Sequence, residues 1–250
     1  MKRIESDNLI EKVKNEIVQK TNPASIFTYG SYNGPDFIPG TSDIEIGVIK
    51  RKRGSISKVL RGIAEKYSKK DLYFRIYPYY LRDLKSLKID NPWTKSAFVR
   101  RLILTSKTIW GKKTIENLRL PSVDLIDAYR EACATTERAM TGLYFLRVNK
   151  EKEAGEMGYK ACLYATLSLE YLLGIFPVGF KNIVEDSKRL KLDKEWRNLI
   201  SFSYDLRRGK MRPKKKELYD FIFQTITYCN KIAEEKTRNE LKKGNRILIK

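Results

Sequence analysis

Apolar positions recur along this chain with two different periods, and the change between periods divides it. Ile10, Val13 and Ile17 repeat at helical spacing. They predict a first helix that opens on the capping pair Asn8 and Glu11, runs to about Lys20 and ends at Asn22-Pro23. Ser25 to Tyr29 is a run of strand type. Over 43–49 the pattern becomes strict alternation, which puts Asp43 and Glu45 on one face and Ile44, Ile46 and Val48 on the other. Ile56, Val59, Leu60, Ile63 and Tyr67 mark a second helix. A third strand covers 71–77, with Leu72, Phe74 and Ile76 pointing one way and Asp71, Tyr73, Arg75 and Tyr77 the other. Segments 79–90 and 94–108 read as helices.

From Ser122 onward strand signals vanish. Leu125, Ile126, Tyr129, Cys133, Thr136 and Met140 mark one long helix, and Tyr164, Leu167 and Tyr171 lie in another that Gly174 and Pro177 end. Short helices follow over 183–190 and 194–206, and a final one runs from Glu217 to about Leu241. The fold class is therefore α+β: a first domain over 1–115, a linker from Lys112-Lys113 to Pro121, and an all-α bundle of four or five helices over 120–250.

Charge narrows the partners. The formal net charge is +21, with 25 basic and 12 acidic residues in 1–120 against 26 and 18 in 121–250. Both halves are basic, which favours a polyanion such as RNA, although a Lys-rich surface also serves heat stability. Seven of the ten residues from Arg207 to Lys216 are basic: Arg207, Arg208, Lys210, Arg212, Lys214, Lys215 and Lys216. Gly209 and Pro213 keep this stretch open, so it reads as a phosphate-backbone clamp or as a solvated loop. Lys50-Arg51-Lys52-Arg53 poses the same choice on a smaller scale. No apolar run approaches membrane-spanning length, and the N-terminus lacks a signal-peptide stretch. With three scattered cysteines, this points to a cytoplasmic protein. Histidine is absent altogether, so carboxylates must carry any proton or metal chemistry.

That chemistry concentrates between Ile26 and Ile49. The first strand ends at Gly30-Ser31, a turn-rich loop follows, and the acidic strand begins with Asp43. Two carboxylates this close repel each other unless a cation joins them, and they suit a hard divalent metal such as Mg2+. Gly30 lets backbone approach a phosphate, and the Ser31 hydroxyl can donate to it. Gly-Ser, a Pro-Gly-Thr-Ser loop and Asp-x-Glu between aliphatics resemble the signature of the polymerase-beta-like nucleotidyltransferase superfamily, over about the first third of the chain. Thr108 to Lys112 resembles the segment that closes this module in bacterial antibiotic adenylyltransferases.

The resemblance implies a mixed sheet flanked by helices and a bundle that helps form the acceptor cleft. It implies transfer of a nucleoside monophosphate from an NTP to a hydroxyl, with release of pyrophosphate. Asp43 and Glu45 would hold two Mg2+ ions, with Asp71 as third ligand or base. Gly30 and Ser31 would bind the phosphates, and Arg75 would offset charge developed during transfer. The chain departs from the family at one place, since in many members the third acid lies where this sequence has Tyr73. The positive field favours an RNA acceptor such as tRNA over a cationic antibiotic. The alternative is a nucleotidyltransferase-fold module that binds RNA or partners without catalysis. A HEPN-like nuclease in the helical half would need an Arg-x4-6-His motif, which a histidine-free chain lacks.

Overall fold

The computed structural model describes residues 3–51, 54–69, 72–86 and 95–250. They fall into two units, one of Met1–Asn91 and Phe98–Pro121, the other of Pro92–Ala97 and Ser122–Lys250.

In the first unit, α1 (Arg3–Thr21), β1 (Ser25–Tyr29), β2 (Ile44–Lys50), α2 (Ser57–Tyr67) and β3 (Phe74–Tyr80) are followed by α3 (Leu81–Lys85), α4 (Lys95–Thr105) and β4 (Lys107–Gly111). The strands form one mixed sheet in the order β3-β2-β1-β4, with β1 antiparallel to both β2 and β4, and β3 parallel to β2. Alternation along β2 sorts the two faces. Ile44, Ile46 and Val48 are fully buried against Val13 and Ile17 of α1 and Leu60 and Ile63 of α2. Each such burial contributes about 1.5–3 kcal/mol. The opposite face packs Phe27, Tyr29, Ile49 and Tyr79 against Leu84 of α3 and Val99, Leu102 and Ile103 of α4. The Phe27 ring lies so close over Gly47 that a Cβ there would collide with it.

Four expectations for this unit are corrected. Helix α1 begins at Arg3, so Asn8 and Glu11 lie inside it. Its early turns are held by tertiary contacts: Ser6 is buried, and Asp7 accepts a hydrogen bond from the Tyr32 hydroxyl. Strand β3 is shifted three residues toward the C-terminus. Leu72 is drawn instead into a bridge with Lys69 (N–H to O distances of 2.8 and 3.1 Å). Pro78 does not stop β3, because this strand is a sheet edge where a missing donor is tolerated. Tyr79 and Tyr80 are therefore strand, and the helix after them spans Leu81–Lys85; residues 87–90 of the expected helix lie outside the described residues. The expected helix over 94–108 ends at Thr105. Residues 107–111 instead form β4, with the backbone at Gly111 (φ 79°) passing too near Ala24 for any side chain.

The second unit is built from β5 (Val123–Asp124), α5 (Leu125–Arg147), α6 (Glu151–Leu172), α7 (Phe180–Asp186), α8 (Lys194–Arg207) and α9 (Lys215–Thr227). A π-helical stretch, Tyr228–Glu234, joins α9 to α10 (Glu235–Lys242), and β6 (Ile247–Ile249) follows. Asp124 caps α5 by accepting from the Asp127 N–H at 3.0 Å. Glycines bring the helices close: a Cβ on Gly142 of α5 would stand 3.2 Å from Ala154 O, and one on Gly158 of α6 would stand 2.7 Å from the Phe221 ring of α9. The unit is helical but not all-α, because β5 and β6 pair antiparallel. Strands of two and three residues have no period to read. Cys162 and Cys229 are buried and Cys133 half-buried, all as free thiols. No helix among the described residues is long and apolar enough to cross a membrane.

Candidate active site

Asp43 stands immediately before β2, and Glu45 is the second residue of that strand. Both are half-buried, with the interior-facing Ile44 between them. The parallel register sets Ile44 beside Phe74 and Glu45 beside Arg75. One step back, the Ile44 N–H donates to the Tyr73 carbonyl at 2.8 Å, so Tyr73 lies level with Asp43. This tyrosine is 54% exposed. The register brings Arg75 onto the face of the two acids, and its Nε donates to Asp43 Oδ2 at 2.8 Å. Burial opposes the Arg75 charge, but Asp43, Tyr77 and Glu45 together hold its pKa above the ordinary range. The pair is half-exposed and adds at most ~1 kcal/mol to stability. Asp71 lies outside the described residues.

On the other side of β2, Tyr29 pairs with Glu45 in the antiparallel register. The next residue, Gly30, has φ 74°, a left-handed conformation that glycine accepts without strain. A Cβ at Gly30 would also collide with Glu45 Oε2, so the Glu45 carboxylate lies directly over the glycine corner. The Gly30 N–H donates to Thr105 Oγ1 at 3.1 Å. Half-buried Ser31 belongs to the short 3-10 turn Gly30–Asn33. Asn33 fastens that turn: its Nδ2 donates to Thr28 O and Thr105 O, both at 2.8 Å, and its Oδ1 accepts from the Thr28 hydroxyl at 2.8 Å. The corner is thereby anchored to β1 and to the end of α4. Beneath it, Tyr79 donates to Tyr29 at 3.2 Å. Burial first, then Tyr79 and Glu45, raise the Tyr29 phenol well above its ordinary range. Burial raises Tyr79 as well, against the lowering effect of its hydrogen bond to Tyr29 and with a further push from Glu45.

Gly30, Ser31, Asp43, Glu45 and Arg75 thus belong to neighbouring segments at one end of the sheet. Thr105 and Asn33, which brace the corner, escaped the sequence reading, because a lone threonine at a helix end and an asparagine in a turn carry no distinguishing spacing. The donors offered by Asp43 and Glu45 are carboxylate oxygens only, which suits a hard divalent cation in kind. No group of three metal-ligating side chains converges among the described residues.

Of the basic stretch Lys50-Arg51-Lys52-Arg53, the last two residues lie outside the described residues. Lys50 ends β2 and donates to the carbonyls of Thr21 and Asn22 at the close of α1. Arg51 lines a shallow cavity of about 490 Å³ with Leu81, Arg82 and Ser86. It stands at the opposite end of β2 from Asp43, roughly 25 Å along the strand. In the second unit, Arg207 is removed from the expected clamp: it ends α8, is 6% exposed, and sets its guanidinium 4.4 Å from the Phe180 ring centroid. Arg208, Lys210, Arg212, Lys214, Lys215 and Lys216 are all exposed.

No family model matches the sequence, and no curated protein matches it. Among solved structures, the spectinomycin adenyltransferase AAD(9) from Enterococcus faecialis, crystallised with ATP and spectinomycin, matches with a TM-score of 0.57. The match covers 89% of this chain and 98% of that one at 13% sequence identity. The two chains therefore share a nucleotidyltransferase fold across both units.

Proposed function

We propose that the protein is a nucleotidyltransferase that moves a nucleoside monophosphate from an NTP to a hydroxyl. The observation that carries this reading is the Glu45 carboxylate lying over the Gly30 corner, with Asp43 beside it on the same face. Asp43 and Glu45 would hold Mg2+, in the pair of ions the fold family uses; when bound, Mg2+ neutralises triphosphate charge and acidifies the acceptor hydroxyl. The chain's own groups do the positioning. Ser31 and the backbone of the 3-10 turn bind phosphate oxygens, and the absence of a side chain at Gly30 keeps that approach open. Arg75 exchanges Asp43 for the transferring phosphate and offsets charge developed there. Because the structural neighbour was solved with ATP, ATP is the first donor to test. The acceptor is an RNA, on the strength of the positive charge in both halves.

Incubation with α-labelled NTPs, Mg2+ and total RNA tests the reading. Label should pass to RNA, and Asp43→Asn should abolish transfer while leaving the circular dichroism spectrum unchanged. Full transfer by Asp43→Asn refutes it. The Asp43–Arg75 ion pair favours one other reading, a fold retained for binding alone, with arginine as a permanent counter-ion. RNA retention without label transfer by the wild type would select it.

A further inference from the structure

We propose that the outer face of α5 and α9, together with the loop between α8 and α9, binds single-stranded nucleic acid. The proposal deepens the RNA-acceptor reading and rests on it only for the identity of the strand as acceptor.

The face is unusual in what it exposes. On α5 and at its C-cap, Met140, Tyr144 and Val148 recur every fourth residue with 51%, 60% and 44% exposure. On α9, Tyr219 and Phe223 are one turn apart with 45% and 57% exposure. Their rings lie 6.5 Å apart and within 12° of parallel. Five large apolar side chains left in water mark an interaction surface rather than a solvated one.

Two ties show that these helices lie side by side and antiparallel. Lys215 Nζ, at the start of α9, donates to Asn149 Oδ1 just past the end of α5 at 2.5 Å. At the far end, Thr136 Oγ1 of α5 donates to Glu234 Oε2 at 3.4 Å, in the π-helical stretch that continues α9. Tyr144 on one helix and Tyr219 and Phe223 on the other all fall between these ties in sequence, which sets the two exposed stripes on neighbouring antiparallel helices.

Charge selects the occupant. The basic loop feeds directly into the aromatic turn of α9, and the residues from Arg208 to Phe223 hold six basic and two acidic side chains. One of the acids, Glu217, is engaged in accepting from the Lys214 N–H at 2.7 Å. Pairing two copies through this face would bring like charges together. An anion that also offers flat apolar surfaces satisfies both parts, and unpaired bases on a phosphate backbone do so. Base–aromatic stacking is worth ~1–3 kcal/mol per base, and the lysines track the backbone. A duplex hides its base faces and leaves the aromatics unused.

The test is fluorescence anisotropy on the full chain with labelled 20-nucleotide oligouridylate and a 20-base-pair duplex, across a salt series. The single strand should bind more tightly than the duplex. The double variant Tyr219→Ala/Phe223→Ala should weaken strand binding about tenfold or more without changing the salt slope. The triple variant Lys214→Glu/Lys215→Glu/Lys216→Glu should weaken it and flatten the slope. All these side chains are exposed; the triple variant gives up the Lys215–Asn149 hydrogen bond, so its circular dichroism spectrum is compared with that of the wild type. Asp43→Asn should bind as the wild type does, so loss of transfer with intact binding refutes only the catalytic reading. Unchanged binding in both surface variants, tighter binding of the duplex, or no strand binding at low salt overturns the proposal. So does a wild-type dimer in light scattering that Phe223→Ala dissolves.

Discussion

Arg75 separates a working site from a retained fold. Its ion pair is too exposed to matter for stability, so Arg75→Ala should shift the melting temperature by less than about 3 °C. Removing the internal cation should also raise the affinity of Asp43 and Glu45 for Mn2+, read by electron paramagnetic resonance without nucleotide. If Arg75 serves transfer, the same variant should lose about 10²–10³-fold in kcat. Tighter Mn2+ binding with unchanged transfer would leave Arg75 as a mere counter-ion. Gly30→Ala is the complementary change. A methyl group there meets both a left-handed backbone and the Glu45 carboxylate, so the variant should lose ~1–3 kcal/mol in urea denaturation along with transfer. The acids and the Gly-Ser corner were legible in the sequence because strand parity and spacing fix them locally. The Arg75–Asp43 pair was only half legible: parity gave the face, but the partner follows from the parallel β2–β3 register, which one sequence does not reveal. Arg207 was misread for a related reason, since charge in a run does not show that its first member is buried under aromatic rings.

At the scale of elements, the helices with a clear apolar stripe were placed within a few residues, whereas tertiary pairing decided the rest. β4 follows α4 after a single residue, so its pattern merged with the helix, and the β5–β6 pair is too short to show one. The glycines give this scale its test, because helical glycines look alike in sequence and differ in surroundings. Gly62, in α2, has nothing near its missing side chain. Gly62→Ala should stabilise the protein by ~0.5–1 kcal/mol by raising helix propensity. Gly158 faces the Phe221 ring, so Gly158→Val should cost at least ~1–3 kcal/mol by forcing α6 and α9 apart. Urea midpoints that moved in the same direction for both variants would refute this account of the α6–α9 contact.

For the whole molecule, the net charge makes pH the natural variable, and one buried acid gives it a definite sign. Glu170 on α6 is fully buried, and neither carboxylate oxygen has a hydrogen-bond partner among the described residues. Burial first, and then the nearby Asp186, push its pKa up to about 9. In the unfolded chain the same group titrates near its ordinary value of 4.5. The folded state therefore holds a proton that the unfolded state releases across this window, and stability falls as pH rises from about 4.5 to about 9. Asp127, raised to about 6 by burial and by Asp124, adds a loss of the same sign between its ordinary value of 3.8 and that pH. Other carboxylates also titrate in the lower part of this window, so the wild-type curve alone is a poor test. Glu170→Gln isolates the effect by keeping the shape and removing the titration. At pH 5 the variant and the wild type should melt within a degree or two of each other. At pH 8.5 the variant should melt several degrees higher, since each kilocalorie per mole moves the midpoint by about 2–4 °C in a chain of this size. A constant gap between the two melting curves from pH 5 to 8.5 would mean that Glu170 ionises in the folded protein as it does in the unfolded one.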